Sequence, residues 1–299
     1  MARRRFNPLD QLPSQARLRQ LQLVAQRLVE SLLAGNYRSV FRGPGIEFDE
    51  VREYVEGDDA RLIDWNVSSR FGSAFTKTFR EEREMTLFLV VDVSPSLEFG
   101  SRPRSMRDIA LVSSALLTLA AVQNNDKVGG LLFTDRIETW VSPAKGRNHA
   151  MRLLQDIIAV EPAGRGSDLS LALRTVSESL KRRGIVIVIS DFLTADYQRE
   201  LALMAKRHDV IALRVSDPIE QELPEFPLLQ AVDPETGRTL FMNGRSRRFR
   251  FAFEHFWRQQ RQQWLRECQR RGVSALEIRT VDQVADRLIS FFRHRRAHG

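Results

Sequence analysis

Asp92-Val93-Ser94-Pro95-Ser96, Gly164-Arg165-Gly166-Ser167-Asp168 and Ser190-Asp191-Phe192 are the segments whose residue types could do chemistry. The first and third follow directly on apolar runs. The second precedes an apolar-periodic segment. Together they carry Asp92, Ser94, Ser96, Ser167 and Asp191, all small oxygen donors. Carboxylates and hydroxyls, completed by water in near-octahedral geometry, are the donor set that Mg²⁺ or Mn²⁺ prefers. Asp-x-Ser-x-Ser alone would serve equally as a turn or helix cap. Its combination with Ser167 and Asp191 is what points to a metal.

These segments need a scaffold that brings them to one place. Thr86 to Val91 is a continuous apolar run, as expected of a strand buried on both faces. Helical periodicity follows over 105–123. Strands are expected at Val128–Thr134 and Ile185–Ile189, with Ile137–Val141 an antiparallel neighbour of the former. Helices are expected over 147–159, 168–183 and 196–207, and a strand over Val210–Val215. A hairpin turning at Asp233–Gly237 precedes a long Arg/Gln-rich helix over 247–271, a strand at Val273–Ile278 and a helix over 281–293. Strand–helix alternation of this kind predicts an α/β fold with a doubly wound, mostly parallel, Rossmann-like sheet. Ligands in such sheets sit outside the carboxyl ends of the strands, where the three segments fall.

Ahead of this domain, residues 14–34 have the spacing of an amphipathic helix: Leu18, Leu21, Ala25, Leu28 and Leu32. Residues 36–84 read as a small β-rich element, with strands at Glu47–Val55 and around Phe75–Phe79 and turns at Gly43-Pro44-Gly45 and Gly57-Asp58-Asp59. The expected organisation is therefore 1–35, 36–84 and 85–299. Within 36–84, Glu47, Arg52, Asp58, Asp59, Arg61 and Asp64 read as ion pairs and turn caps, and Trp65 as core.

The first loop, a Gly-x-Ser 75 residues from Asp92 to Ser167 and an Asp 24 residues further resemble the von Willebrand factor type A domain. That family's metal-ion-dependent adhesion site implies roles for Asp92, Ser94, Ser96, Ser167 (in place of the usual Thr) and Asp191. The resemblance implies that the hydroxyls ligate directly, that the carboxylates act largely through water, and that a partner's carboxylate completes the shell. Glu98 is a departure that adds a carboxylate near the site. The stretch Phe41-Arg42-Gly43-Pro44-Gly45-Ile46-Glu47-Phe48-Asp49-Glu50-Val51-Arg52-Glu53-Tyr54, with Gly57-Asp58-Asp59-Ala60-Arg61-Leu62-Ile63-Asp64-Trp65 and Ser69-Arg70, resembles the signature of a bacterial family. It is catalogued as domain of unknown function fifty-eight, and its members join this signature to a type A-like domain. Members occur beside MoxR-type AAA+ ATPases. The resemblance therefore implies an adaptor or co-chaperone-like role with such an ATPase or its client.

Enzyme classes lack their motifs. There is no Gly-x-x-x-x-Gly-Lys-Ser/Thr, no Gly-x-Gly-x-x-Gly opening a helix after a strand and no Gly-x-Ser-x-Gly. A Mg²⁺-dependent phosphatase of the haloacid-dehalogenase kind is the enzyme alternative. It requires a general-acid Asp where Ser94 stands. The expectation is a non-enzymatic binding module.

The chain has 299 residues and a net charge of +8. Its positive excess is confined to Arg238–Gly299, where 15 Arg face 5 acidic residues. An acidic partner, an anionic membrane surface or nucleic acid would suit such a segment, but no nucleic-acid-binding motif accompanies it. A metal-free scaffold using these Arg-rich helices on membrane or nucleic acid is the second alternative. The lone Cys268 excludes an internal disulfide. Neither a signal peptide nor about 18 consecutive apolar residues is found, so the expected location is the cytoplasm. The five His residues are expected at the surface.

Overall fold

The computed structural model describes residues 47–55, 58–80, 85–101, 103–232 and 239–297. The amphipathic segment at 14–34 and the turn at 43–45 lie outside them. Two compact units are distinguished, one within Phe41–Met85 and one containing Thr86–Gly299.

In the smaller unit, β1 (Glu47–Glu53) pairs antiparallel with β2 (Phe75–Arg80). A 3-10 turn, Ala60–Leu62, and a short helix, α1 (Trp65–Phe71), connect them. The helix was not expected from the sequence. Asp64 makes it, capping the free N–H groups of Asn66 and Val67, and Gly72 ends it with φ 74°. Trp65, expected in the core, is 72% exposed at the first position of this helix. Asp58 and Asp59 do act as expected. Asp58 pairs with Arg52 at 2.7 Å, and Asp59 caps the 3-10 turn through Arg61 N.

The larger unit is a six-stranded sheet of order β10-β7-β6-β3-β4-β5. Its strands are β3 (Thr86–Asp92), β4 (Lys127–Phe133), β5 (Ile137–Ala144), β6 (Ile185–Ser190), β7 (Asp209–Ser216) and β10 (Ser274–Arg279). All neighbours are parallel except β4 and β5. The helices are α2 (Met106–Gln123), α3 (Arg147–Ala159), α4 (Leu169–Ser179), α5 (Gln198–Arg207), α6 (Arg247–Arg270) and α7 (Val284–Ala297). A hairpin, β8 (Leu228–Val232) with β9 (Thr239–Asn243), stands apart from the sheet.

The apolar runs of β3 and β6 are buried throughout because helices cover both faces. Phe88, Val90, Val186 and Val188 pack with Leu169, Leu173, Leu201 and Met204 of α4 and α5 and with Trp264 of α6. α2 packs on the sheet together with α3 and α7. It is the one helix among the described residues long and apolar enough to cross a bilayer. Even so, 67% of that stretch is buried inside the protein.

Strand order reverses at β3. From it the chain moves outward to β4 and β5, then returns to β6 on the other side. The crevice at such a reversal, between the carboxyl ends of β3 and β6, is where this topology leaves room for a ligand.

Candidate metal centre

Asp92 ends β3 and is fully buried. Its Oδ1 accepts the Ser94 N–H at 2.9 Å. Its Oδ2 accepts the Ser167 hydroxyl at 2.9 Å and the Ser190 hydroxyl at 2.8 Å. The side chain thus ties together all three sequence segments. Ser94 and Ser96 hold their hydroxyls 3.0 Å apart. Pro95 sets this spacing by opening the 3-10 turn Pro95–Glu98.

Ser167 reaches Asp92 because its loop is pinned on two sides. Asp168 N donates to Thr134 O at 2.8 Å, and Thr194 Oγ1 donates to Ser167 O at 2.9 Å. Gly164 is required here, since a Cβ would fall 2.0 Å from Thr134 Oγ1. Asp168 itself caps α4 through Leu171 N and is no part of the donor cluster.

Asp191 follows β6 and is 3% exposed. Its Oδ1 accepts the Leu193 N–H at 3.1 Å. Its Oδ2 is buried and has no hydrogen-bond partner among the described residues. Phe192 next to it holds φ at 57°, in the left-handed region a bulky residue rarely adopts. Tilted ring contacts of Phe192 with Tyr197 and Trp264, at 5.7 Å each, hold it there.

Burial raises the carboxyl pKa of Asp92, and the charge of Asp191 raises it further. Burial likewise raises Asp191. Two desolvated carboxylates share this crevice, and their direct partners are N–H and O–H groups rather than cations. Charge of this kind calls for a proton or a cation. The unpartnered Oδ2 and the three hydroxyls form a hard-oxygen donor set that fits Mg²⁺ or Mn²⁺. Among the described residues no group of three or more His, Cys, Asp and Glu could hold a metal. A site here would therefore depend on hydroxyls.

Sequence reasoning named all five donors but gave Ser190 no role, although its position at a strand end beside Asp191 was the available signal. It missed Arg214, a lone cation in the buried β7 run Val-Ile-Ala-Leu-Arg-Val. Arg214 Nε donates to the Asp191 carbonyl at 3.2 Å. Glu98 does not add to the site. It pairs with Arg107 at the surface. His208, expected at the surface, is 3% exposed, and burial lowers its pKa. Cys268 is buried, which pushes its thiol up to about 12 and makes it unreactive.

The family described as Protein of unknown function DUF58 matches residues 50–263. Uncharacterized protein Rv1480 of Mycobacterium tuberculosis is 34% identical over 225 residues, covering 74% of this chain and 71% of that protein. Uncharacterized protein MAV169 of Mycobacterium avium is 38% identical over 104 residues, covering 34% of this chain and 62% of that protein. Among solved structures, the conserved hypothetical protein BatB from Bacteroides thetaiotaomicron matches at 16% identity with a TM-score of 0.47. It covers 72% of this chain and 100% of that one. An aerotolerance-related membrane protein from Bacteroides fragilis matches over the same shares at 15% identity with a TM-score of 0.46. The matched residues make up well over half of the chain, which therefore belongs to the DUF58 family.

Proposed function

We propose that the larger unit is a von Willebrand factor type A-like domain acting as a non-enzymatic, metal-dependent protein-binding module. The observation that carries this reading is the buried Asp191 Oδ2, left without a partner beside the Asp92–Ser94–Ser96–Ser167 cluster. Ser94, Ser96 and Ser167 would offer hydroxyl ligands, and Asp92 and Asp191 the compensating charge. When bound, Mg²⁺ or Mn²⁺ supplies a positive centre able to accept an Asp or Glu from a partner. Ser96 and Ser167 are only half-buried, which leaves an approach for that carboxylate. Asp92 keeps the loops together through its three accepted hydrogen bonds, so the site is preorganised.

The partner in this reading is a MoxR-type AAA+ ATPase or its client, on the strength of the family resemblance, and the protein works in the cytoplasm as an adaptor. Immobilised protein incubated with the purified ATPase tests this. Capture in Mg²⁺ that disappears with chelator and in Asp191→Ala supports the reading. Equal capture with and without divalent metal overturns it.

A further inference from the structure

At the same sheet edge, β7, β10 and α6 enclose a cavity of about 560 Å³. Its floor is a charged network. Arg214, 3% exposed, pairs with Glu220 at 2.7 Å and with Glu277 at 3.5 Å. Glu277 also takes Arg261 at 2.6 Å. The cavity wall includes Trp257 and Arg258. Arg258 is exposed and makes no ion pair among the described residues, and the buried Trp257 N–H has no acceptor there.

Arg258 also belongs to a second feature. At 100° per residue, Arg247, Phe251, His255 and Arg258 fall on one stripe of α6, and all four are exposed. Phe251 and His255 stack at 6.1 Å, nearly parallel at 11°. Between Arg245 and Arg266 the only acid is Glu254, against seven Arg. The stripe extends the cavity by about 16 Å, the rise of eleven helical residues. That length matches about five residues of extended chain. A compact anion would leave the stripe unused.

We infer that the cavity and the Arg247–Arg258 stripe form a docking site for an acidic polypeptide segment. Identifying this segment with the partner of the metal centre rests on the function proposed above; the docking itself does not. The two sites are joined through Arg214, which touches both the cavity and the Asp191 carbonyl. Acidic side chains would engage Arg258 and Arg247, with an aliphatic stem against Trp257 or Phe251. The cavity lining carries Arg214, Arg258, Arg261, Arg279 and Arg287 against Glu220, Glu254, Glu277 and Asp282, a small positive excess.

The test is fluorescence anisotropy of labelled hexaglutamate titrated with the full chain at low salt, with chelator present. The wild type should bind hexaglutamate and not hexaglutamine. Arg258→Glu should weaken binding about tenfold, since it reverses the unpaired cation at the cavity mouth. Arg182→Glu, the same change in net charge at an exposed site elsewhere, should stay within about twofold. Failure of the wild type to bind overturns the inference, as does equal weakening by Arg182→Glu. Failure of the metal reading would leave all of these results intact.

Discussion

Two clusters of buried carboxylates stand on the same sheet edge and balance their charge in opposite ways. Around β7 and β10, Glu220 and Glu277 are held by Arg214 and Arg261. Asp217 beside them is fully buried, and burial alone would raise its pKa. Hydrogen bonds from Ser101, Ile219 N and Thr280 outweigh that and hold it below the usual carboxylate range. Around β3 and β6, Asp92 and Asp191 have hydroxyl and amide partners, one oxygen with none, and no side-chain ion pair among the described residues. Glu220 and Glu277 of the first cluster have their counter-charges within the chain. In the proposed reading a metal from outside completes the second.

The largest effect expected is at Arg214. Arg214→Met leaves Glu220 and Glu277 buried without their shared cation and should cost about 3–5 kcal/mol in urea unfolding at pH 8. A cost under about 1 kcal/mol would mean that the first cluster is no more self-sufficient than the second.

A sharper contrast comes from one substitution made in both clusters, in chelator. Asp217→Asn deprives three donor residues of a charged acceptor and should cost about 1.5–3 kcal/mol. Asp92→Asn also deprives three donors of a charged acceptor, but it relieves the repulsion from Asp191, and the two effects should offset to within about 1 kcal/mol of wild type without metal. Equal losses would erase the distinction.

Glu220 gives a pH signature. Its folded pKa, about 7, lies above its unfolded value near 4.5. The stability this group contributes is therefore fully present below about pH 4.5 and lost as pH rises through about 7. Thermal unfolding of Glu220→Gln should show a flatter pH dependence between those limits than the wild type. The smallest effect is Ser190→Ala, which removes one donor from Asp92 and should cost about 1 kcal/mol.

Much of this was legible in the sequence, for physical reasons. Strands buried on both faces read as unbroken apolar runs, so β3 and β6 stood out, and the donor residues follow them directly. Parallel topology then put Asp92 and Asp191 at one crevice. Three features were not legible. α1 depends on the Asp64 cap in a segment with turn-like composition. His208 has both ring nitrogens buried without a partner among the described residues, which nothing in its neighbours foretells. Arg214 lies unremarked inside the Val210–Val215 strand, and its value emerges only when Glu220, Glu277 and the Asp191 carbonyl converge on it.

The most direct test of the externally completed cluster is thermal unfolding with and without Mg²⁺ or Mn²⁺, on the wild type and Asp92→Ala. Metal at about 100 times its Kd should stabilise the wild type by about 2.7 kcal/mol and leave Asp92→Ala unchanged. No stabilisation of the wild type, or the same stabilisation in Asp92→Ala, would contradict a metal centre at the β3–β6 crevice.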